Sequence, residues 1–130
     1  MDGTTIIAAI DNSPLNRGLR GAEWLASPGN IPILIEDDIA LFDNEGDGTY
    51  QIHVLFQSSG KTARDRIKAI FSEMFEDHGA DMIMGLVPDF RRDVKLMARW
   101  TGMKPVGKRA TDHGICELYV LSKEMWKDQN

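Results

Sequence analysis

The strongest constraint on how this chain can fold is a change of hydrophobic period near residue 57. "T-Y-Q-I-H-V-L-F" (49–56) is rich in β-branched and aromatic residues and reads as a strand. Directly after it, Ala63, Ile67, Ile70, Phe71, Met74 and Phe75 fall at i, i+4, i+7, i+8, i+11 and i+12, one stripe of a 3.6-residue helix. "D-M-I-M-G-L-V-P" (81–88) is then a near-continuous apolar run ending in proline, the pattern of a strand buried on both faces. A strand, a helix and a strand in this order make a crossover, so the two strands lie parallel in one sheet.

The flanking segments extend that sheet. "I-P-I-L-I-E" and "I-A-L-F-D" read as two strands around an Asp37-Asp38 turn, and "N-E-G-D-G" (44–48) turns the chain into the strand at 49. Ser59 or Thr62 is placed to cap the helix, and Gly79 to close it. Asp89 is placed to cap a second helix with core face Val94, Met97, Ala98 and Thr101, ended by Gly102. "K-P-V-G-K-R-A" and "I-C-E-L-Y-V-L-S" flank "T-D-H-G" as a hairpin. The expected order is β-β-β-α-β-α-β-β: an α/β (α+β), mixed, mostly antiparallel sheet, with 49–56 and 81–87 as the parallel pair. Residues 1–30 are mixed, with a short helix expected around 19–26 before Ser27-Pro28-Gly29.

At 130 residues the chain is long enough for one domain with a real core. Its single cysteine, Cys116, excludes an intrachain disulfide framework and fits a reducing compartment. No metal is expected, since His53, His78 and His113 lack metal-site spacing. "T-T-I-I-A-A-I" is too short to cross a bilayer, so a soluble cytoplasmic protein with no membrane partner is expected. Net charge −5 disfavours general nucleic-acid binding. The charge is segregated: segments 57–68 and 91–109 hold eleven of the fifteen Lys/Arg and only Asp65 and Asp93 as acids.

That basic share surrounds "Q-S-S-G-K-T-A-R-D-R" (57–66), at the junction of strand and helix. It is not a Walker A loop, because Leu55 stands where the first glycine must be. Yet a helix start offers unpaired backbone N–H groups and positive potential, and both suit a phosphate. Gly60 allows close approach, Ser58, Ser59 and Thr62 offer hydroxyls, and Lys61 and Arg64 add charge. Arg91 and Arg92 are expected in the first turn of the second helix, where cations are unfavourable by roughly 0.3–1 kcal/mol each. Either Asp89 and Asp93 pair with them, or an anion lies nearby.

These residues resemble the GNAT family of acyl-CoA-dependent N-acyltransferases. Gln57 and Gly60 in "Q-S-S-G-K-T" match the family's [RQ]-x-x-G-x-[GA], with Thr62 in place of the small last residue. "R-R-D-V-K-L-M-A-R-W-T-G-M" (91–103) resembles the downstream N-x-x-A-x-x-x-Y/A-x-x-x-G-F signature, with Arg91 for the usual Asn and Ala98 where a tyrosine often acts as general acid. The likeness covers roughly 31–122, leaves an atypical N-terminal part (1–30) of a single domain, and is nearest in flavour to small phage-encoded members.

The resemblance implies that strands 49–56 and 81–87 splay apart and that acetyl-CoA wedges between them. The backbone of 57–62 (Gln57, Ser58, Ser59, Gly60, Lys61, Thr62) would hold the pyrophosphate. Val54, Leu55 and Phe56 would pair with the pantetheine arm, and Lys61, Arg64 or Arg91 would meet phosphates. An amine would attack the thioester directly. His53 is the first candidate for the base, because its free pKa lies near working pH, though a histidine on a central strand is also a common hydrogen-bonded core residue. Glu36 and Tyr50 are further candidates on neighbouring strands, while Tyr119 and Cys116 read as packing. The acidic first half suits a cationic amine. The alternative is a non-catalytic GNAT-fold protein of phage assembly or the virion, acting in the host cytoplasm or virion. A homodimer or a phage structural partner is compatible with either reading.

Overall fold

A computed structural model describes residues 3–16, 18–112 and 114–129. The described chain runs α1 (Gly3–Asp11), α2 (Gly21–Ala26), β1 (Ile31–Ile35), β2 (Asp38–Gly46), β3 (Thr49–Leu55), α3 (Gly60–Glu76), β4 (Met82–Pro88), α4 (Arg92–Trp100), β5 (Lys104–Thr111), β6 (Gly114–Ser122) and α5 (Lys123–Gln129). One open sheet holds all six strands in the order β1-β2-β3-β4-β6-β5. Only β3 and β4 pair in parallel; the other neighbours are antiparallel.

Alternation along the strands splits the core into two layers. Ala40 and Phe42 of β2 and Ile83 and Val87 of β4 pack under α3 and α4, joined by Ile67, Phe71, Phe75, Tyr119 and Leu121. Ile39, Leu41 and Leu55 point the other way, against Ile6 and Ile10 of α1 and Trp24 of α2. The expected α3 stripe, Ala63 to Phe75, is buried throughout. At ~25 cal/mol per Å² of apolar surface, each large side chain in that stripe contributes about 1.5–3 kcal/mol.

Several expectations change. The β1–β2 turn is Glu36-Asp37, with Glu36 at φ 55; Asp38 starts β2 and is fully buried. Ser59 occupies the N-cap of α3 without a side-chain cap bond. Gly79, at φ 68, turns the chain beyond α3, and the Ala80 amide donates to the Met74 carbonyl. Arg91, not Asp89, is the N-cap of α4, because Asp89 is drawn to Lys95 and Lys108. β4 is not buried evenly on both faces: Ile83 and Val87 are covered, while Met82, Met84 and Leu86 are half-buried. The N-terminal helices pack over β2 and the end of β3 and leave that part of β4 less covered.

α1 and α5 were not expected. Ile6 and Ile10, one turn apart, are the only strong helical signal in α1. In α5, Trp126 stacks on Phe75 with ring centroids 5.2 Å apart. His113, in the expected last turn, lies outside the described residues.

Candidate active site

β3 and β4 are joined at one end only. Their register runs Thr49↔Met82, Tyr50↔Ile83 and Gln51↔Met84 and then stops. Residues 52–55 continue to pair with β2, and 85–88 with β6. The two strand edges that face each other beyond Gln51 and Met84 have no pairing between them. The gap opens into a cavity of about 450 Å³, lined by both open edges and by Ile67, Phe71, Val94 and Met97 of the two covering helices. Gly85 helps keep it open, since a Cβ there would come within 3.3 Å of the Ile52 side chain.

The phosphate loop lies at the end of the open edge of β3 and is held from behind. The buried Asp38 carboxylate accepts the Gln57 amide at 2.6 Å and the Ser58 amide at 2.9 Å, together with the Ser58 hydroxyl. Arg66, nearly two turns into α3, donates to Asp38 at 2.8 Å. Burial pushes the Asp38 carboxyl up, but the bonds from Ser58, Arg66 and Gln57 outweigh it and leave the group below its ordinary 3.8. The amides of Gln57 and Ser58 are therefore committed inside the protein, and the expectation that they face a ligand is corrected. The first amides of α3, from Gly60 to Thr62, have no partner upstream in the helix. Gly60 sits at φ 60 with nothing within 4 Å of where a Cβ would project, so the backbone there is open to approach and suited to glycine.

The other expected basic contacts are mostly engaged locally. Lys61 pairs with Asp65 at 2.9 Å, one turn along an exposed helix face. Arg64 is exposed on α3. Arg91 lines the cavity, but its guanidinium is held by both oxygens of Asp93, at 3.1 and 3.0 Å. Of the two explanations for basic residues at the start of α4, local pairing holds for Arg91.

His53 lines the cavity on the face that carries α1 and α2. Its Nε2 lies 2.7 Å from Oδ2 of Asp43 on β2, two residues along from its cross-strand partner Leu41. The indole N–H of Trp24 donates to the other Asp43 oxygen. Burial raises the Asp43 pKa, while the bond and charge of His53 and the Trp24 bond lower it further, so the carboxyl stays below 3.8. A carboxylate on Nε2 makes that nitrogen the proton donor and leaves Nδ1 with the lone pair. Sequence reasoning missed Asp43; the signal was its place after Ile39 and Leu41 on one face of β2.

Glu36 stands exposed in the β1–β2 turn and Tyr50 packs half-buried beneath α3; neither lines the cavity. Val54 and Leu55 do, whereas Phe56 packs beside the core. Tyr119 and Cys116 form part of the far wall. The Tyr119 hydroxyl donates to Glu117 at 2.7 Å, and burial together with that carboxylate pushes its pKa above 10.0. Among the described residues no group of three His, Cys, Asp or Glu could hold a metal, and no helix is long and apolar enough to cross a membrane.

The fold as a whole is shared with solved structures. A chimera of the Vibrio cholerae spermidine N-acetyltransferase SpeG with hSSAT superposes at TM-score 0.77 and 10% identity, over 98% of this chain and 95% of that one. The fold is that of the GNAT acetyltransferases. The SpeG N152L mutant matches this GNAT fold at TM-score 0.70 and 9% identity, over 83% and 73% of the two chains. Aminoglycoside acetyltransferase AAC(6')-Ib, solved with paromomycin and acetyl-CoA, matches at 0.60 and 15%, over 72% of this chain but 64% of its own, under two thirds of that enzyme. No family model matches the sequence, and no curated protein matches it significantly. The phage likeness gains no support from these neighbours of the GNAT fold.

Proposed function

We propose that the protein is an N-acyltransferase that moves an acetyl group from acetyl-CoA to an amine. The observation that carries this reading is the unpaired stretch of β3 and β4 leading to the open amides of α3. The residues fit an acyl-CoA. The free edge of Val54 and Leu55 offers backbone groups to an extended amide-bearing arm, as an added strand would use them. Ser59, Gly60, Lys61 and Thr62 offer a helix start to a diphosphate, with Arg64 adding charge. Gln57 and Ser58 act indirectly, through the Asp38 anchor.

When bound, acetyl-CoA supplies the acyl group as a thioester: the amine lone pair forms the C–N bond, the C–S bond breaks, and the surplus proton ends on the sulfur as free thiol. His53 prepares the amine. Its Nδ1 takes the proton of the ammonium form, and Asp43 holds the ring and stabilises the resulting imidazolium. Trp24 fixes Asp43 in turn. Tyr119, whose hydroxyl is committed to Glu117, serves as wall.

Titration calorimetry with CoA tests the reading. The wild type should bind, and Gly60→Val should lose at least about tenfold in affinity, because a β-branched residue at positive φ costs roughly 1–2 kcal/mol and fills the approach. No heat at millimolar CoA would favour the non-catalytic alternative. Unchanged affinity in Gly60→Val would remove the loop from the site.

A further inference from the structure

We infer that the acceptor is a singly charged amine carried on an apolar body, an aryl- or alkylamine, and not a polycation. The inference rests on the transferase reading and concerns the acceptor end of the same cavity. On the His53 face that end is walled by Leu15 and Leu19 from the segment between α1 and α2, and by Leu86 and Pro88 of β4, with Gln51 beside His53. Among the described lining residues none is a carboxylate, and the two that carry or gain positive charge are Arg91 and His53.

The described acids of the first half of the chain lie elsewhere. Asp43 lies behind His53 and is shared with Trp24. Asp38 is buried under the phosphate loop, and Asp11 accepts the Gly21 amide. Glu23 is 3.8 Å from Arg20, both exposed. Glu36 and Asp37 form the β1–β2 turn, and Glu45 and Asp47 lie at the β2–β3 turn, beyond the closed end of the parallel pair. The sequence-based expectation of a cationic amine is thereby narrowed to one that carries a single charge, since none of these described acids lines the cavity.

A second or third ammonium entering this cavity would lose its water with no carboxylate among the described lining residues to receive it. One ammonium meets no such obstacle, since His53 removes its proton. An aryl or alkyl body then gains by burial against Leu15, Leu19, Leu86 and Pro88.

The test uses the full chain with acetyl-CoA, following thiol release with 2-phenylethylamine, hexylamine, spermidine and paromomycin, alongside CoA titration. We expect kcat/KM for 2-phenylethylamine at least about tenfold above that for spermidine. Leu19→Asp, with Leu15→Asp as the second variant should the first fail to fold, should shrink that ratio at least about tenfold while leaving CoA affinity unchanged. A preference for spermidine or paromomycin, or an unaltered ratio in both folded variants, overturns the inference. CoA binding with no amine bound or turned over also overturns it, yet leaves the cofactor reading standing. Loss of CoA binding in the wild type would take down both.

Discussion

The two faces of the sheet meet at the same gap, yet they are built to different standards of rigidity. On the α3/α4 face the gap is backed by buried Ile67, Phe71, Met97 and Tyr119, and its loop is pinned by a carboxylate with no exposed surface. On the α1/α2 face the wall is a short connecting segment, and the polar pair is accessible, with His53 38% and Asp43 29% exposed. Under the proposed transferase reading, the difference separates holding from reacting. A site for a long anionic cosubstrate gains from preorganised amides, whereas a base must reach acceptor and solvent to exchange its proton.

The largest expected effect comes from removing the anchor of the rigid face. Asp38→Ala leaves the Gln57 and Ser58 amides without their acceptor and Arg66 with only Asp37, 3.4 Å away, and should cost about 1–3 kcal/mol of stability in urea unfolding, with loss of CoA binding. A variant as stable as the wild type would show that the loop needs no such anchor. His53→Ala should act on the accessible face alone. Turnover at saturating acetyl-CoA should fall roughly 10²–10⁴-fold with CoA affinity intact, and an unchanged rate would clear His53 as base.

Acid should affect both faces, because Asp38 and Asp43 each titrate below 3.8 in the fold. A depressed carboxylate stabilises the protein above its unfolded pKa, and that stability is lost as pH falls through the folded value. Stability should therefore decline as pH drops below 3.8, and Asp43→Asn should flatten part of that decline in a pH series of thermal melts. The smallest effect is expected at Arg91. Its partner Asp93 is largely exposed, so Arg91→Ala should change stability by less than about 1 kcal/mol and CoA affinity little; a large loss of affinity would show that Arg91 leaves Asp93 for a phosphate.

Much of this fold was legible because its central unit is periodic. The stripe from Ala63 to Phe75 and the run at 82–88 could only be a helix and a strand that cross over. α1 was not legible, because nine residues carrying two buried isoleucines fall within the noise of any apolar stretch. α5 buries no residue completely and depends on the Trp126–Phe75 stack, a contact with no local signature. The candidate site was half legible. Gly60 and His53 stood out by residue type and position. Asp38 and Asp43 did not, since their meaning lies in cross-strand neighbours, and a strand's register cannot be read from one strand alone.

The most direct test is backbone NMR of the protein titrated with CoA. Amide shifts should move at 52–56 and at Ser59 to Thr62, while 49–51, already paired with β4, stay in place. Shifts absent from both open segments, or spread evenly along β3, would contradict a cosubstrate seated in the gap.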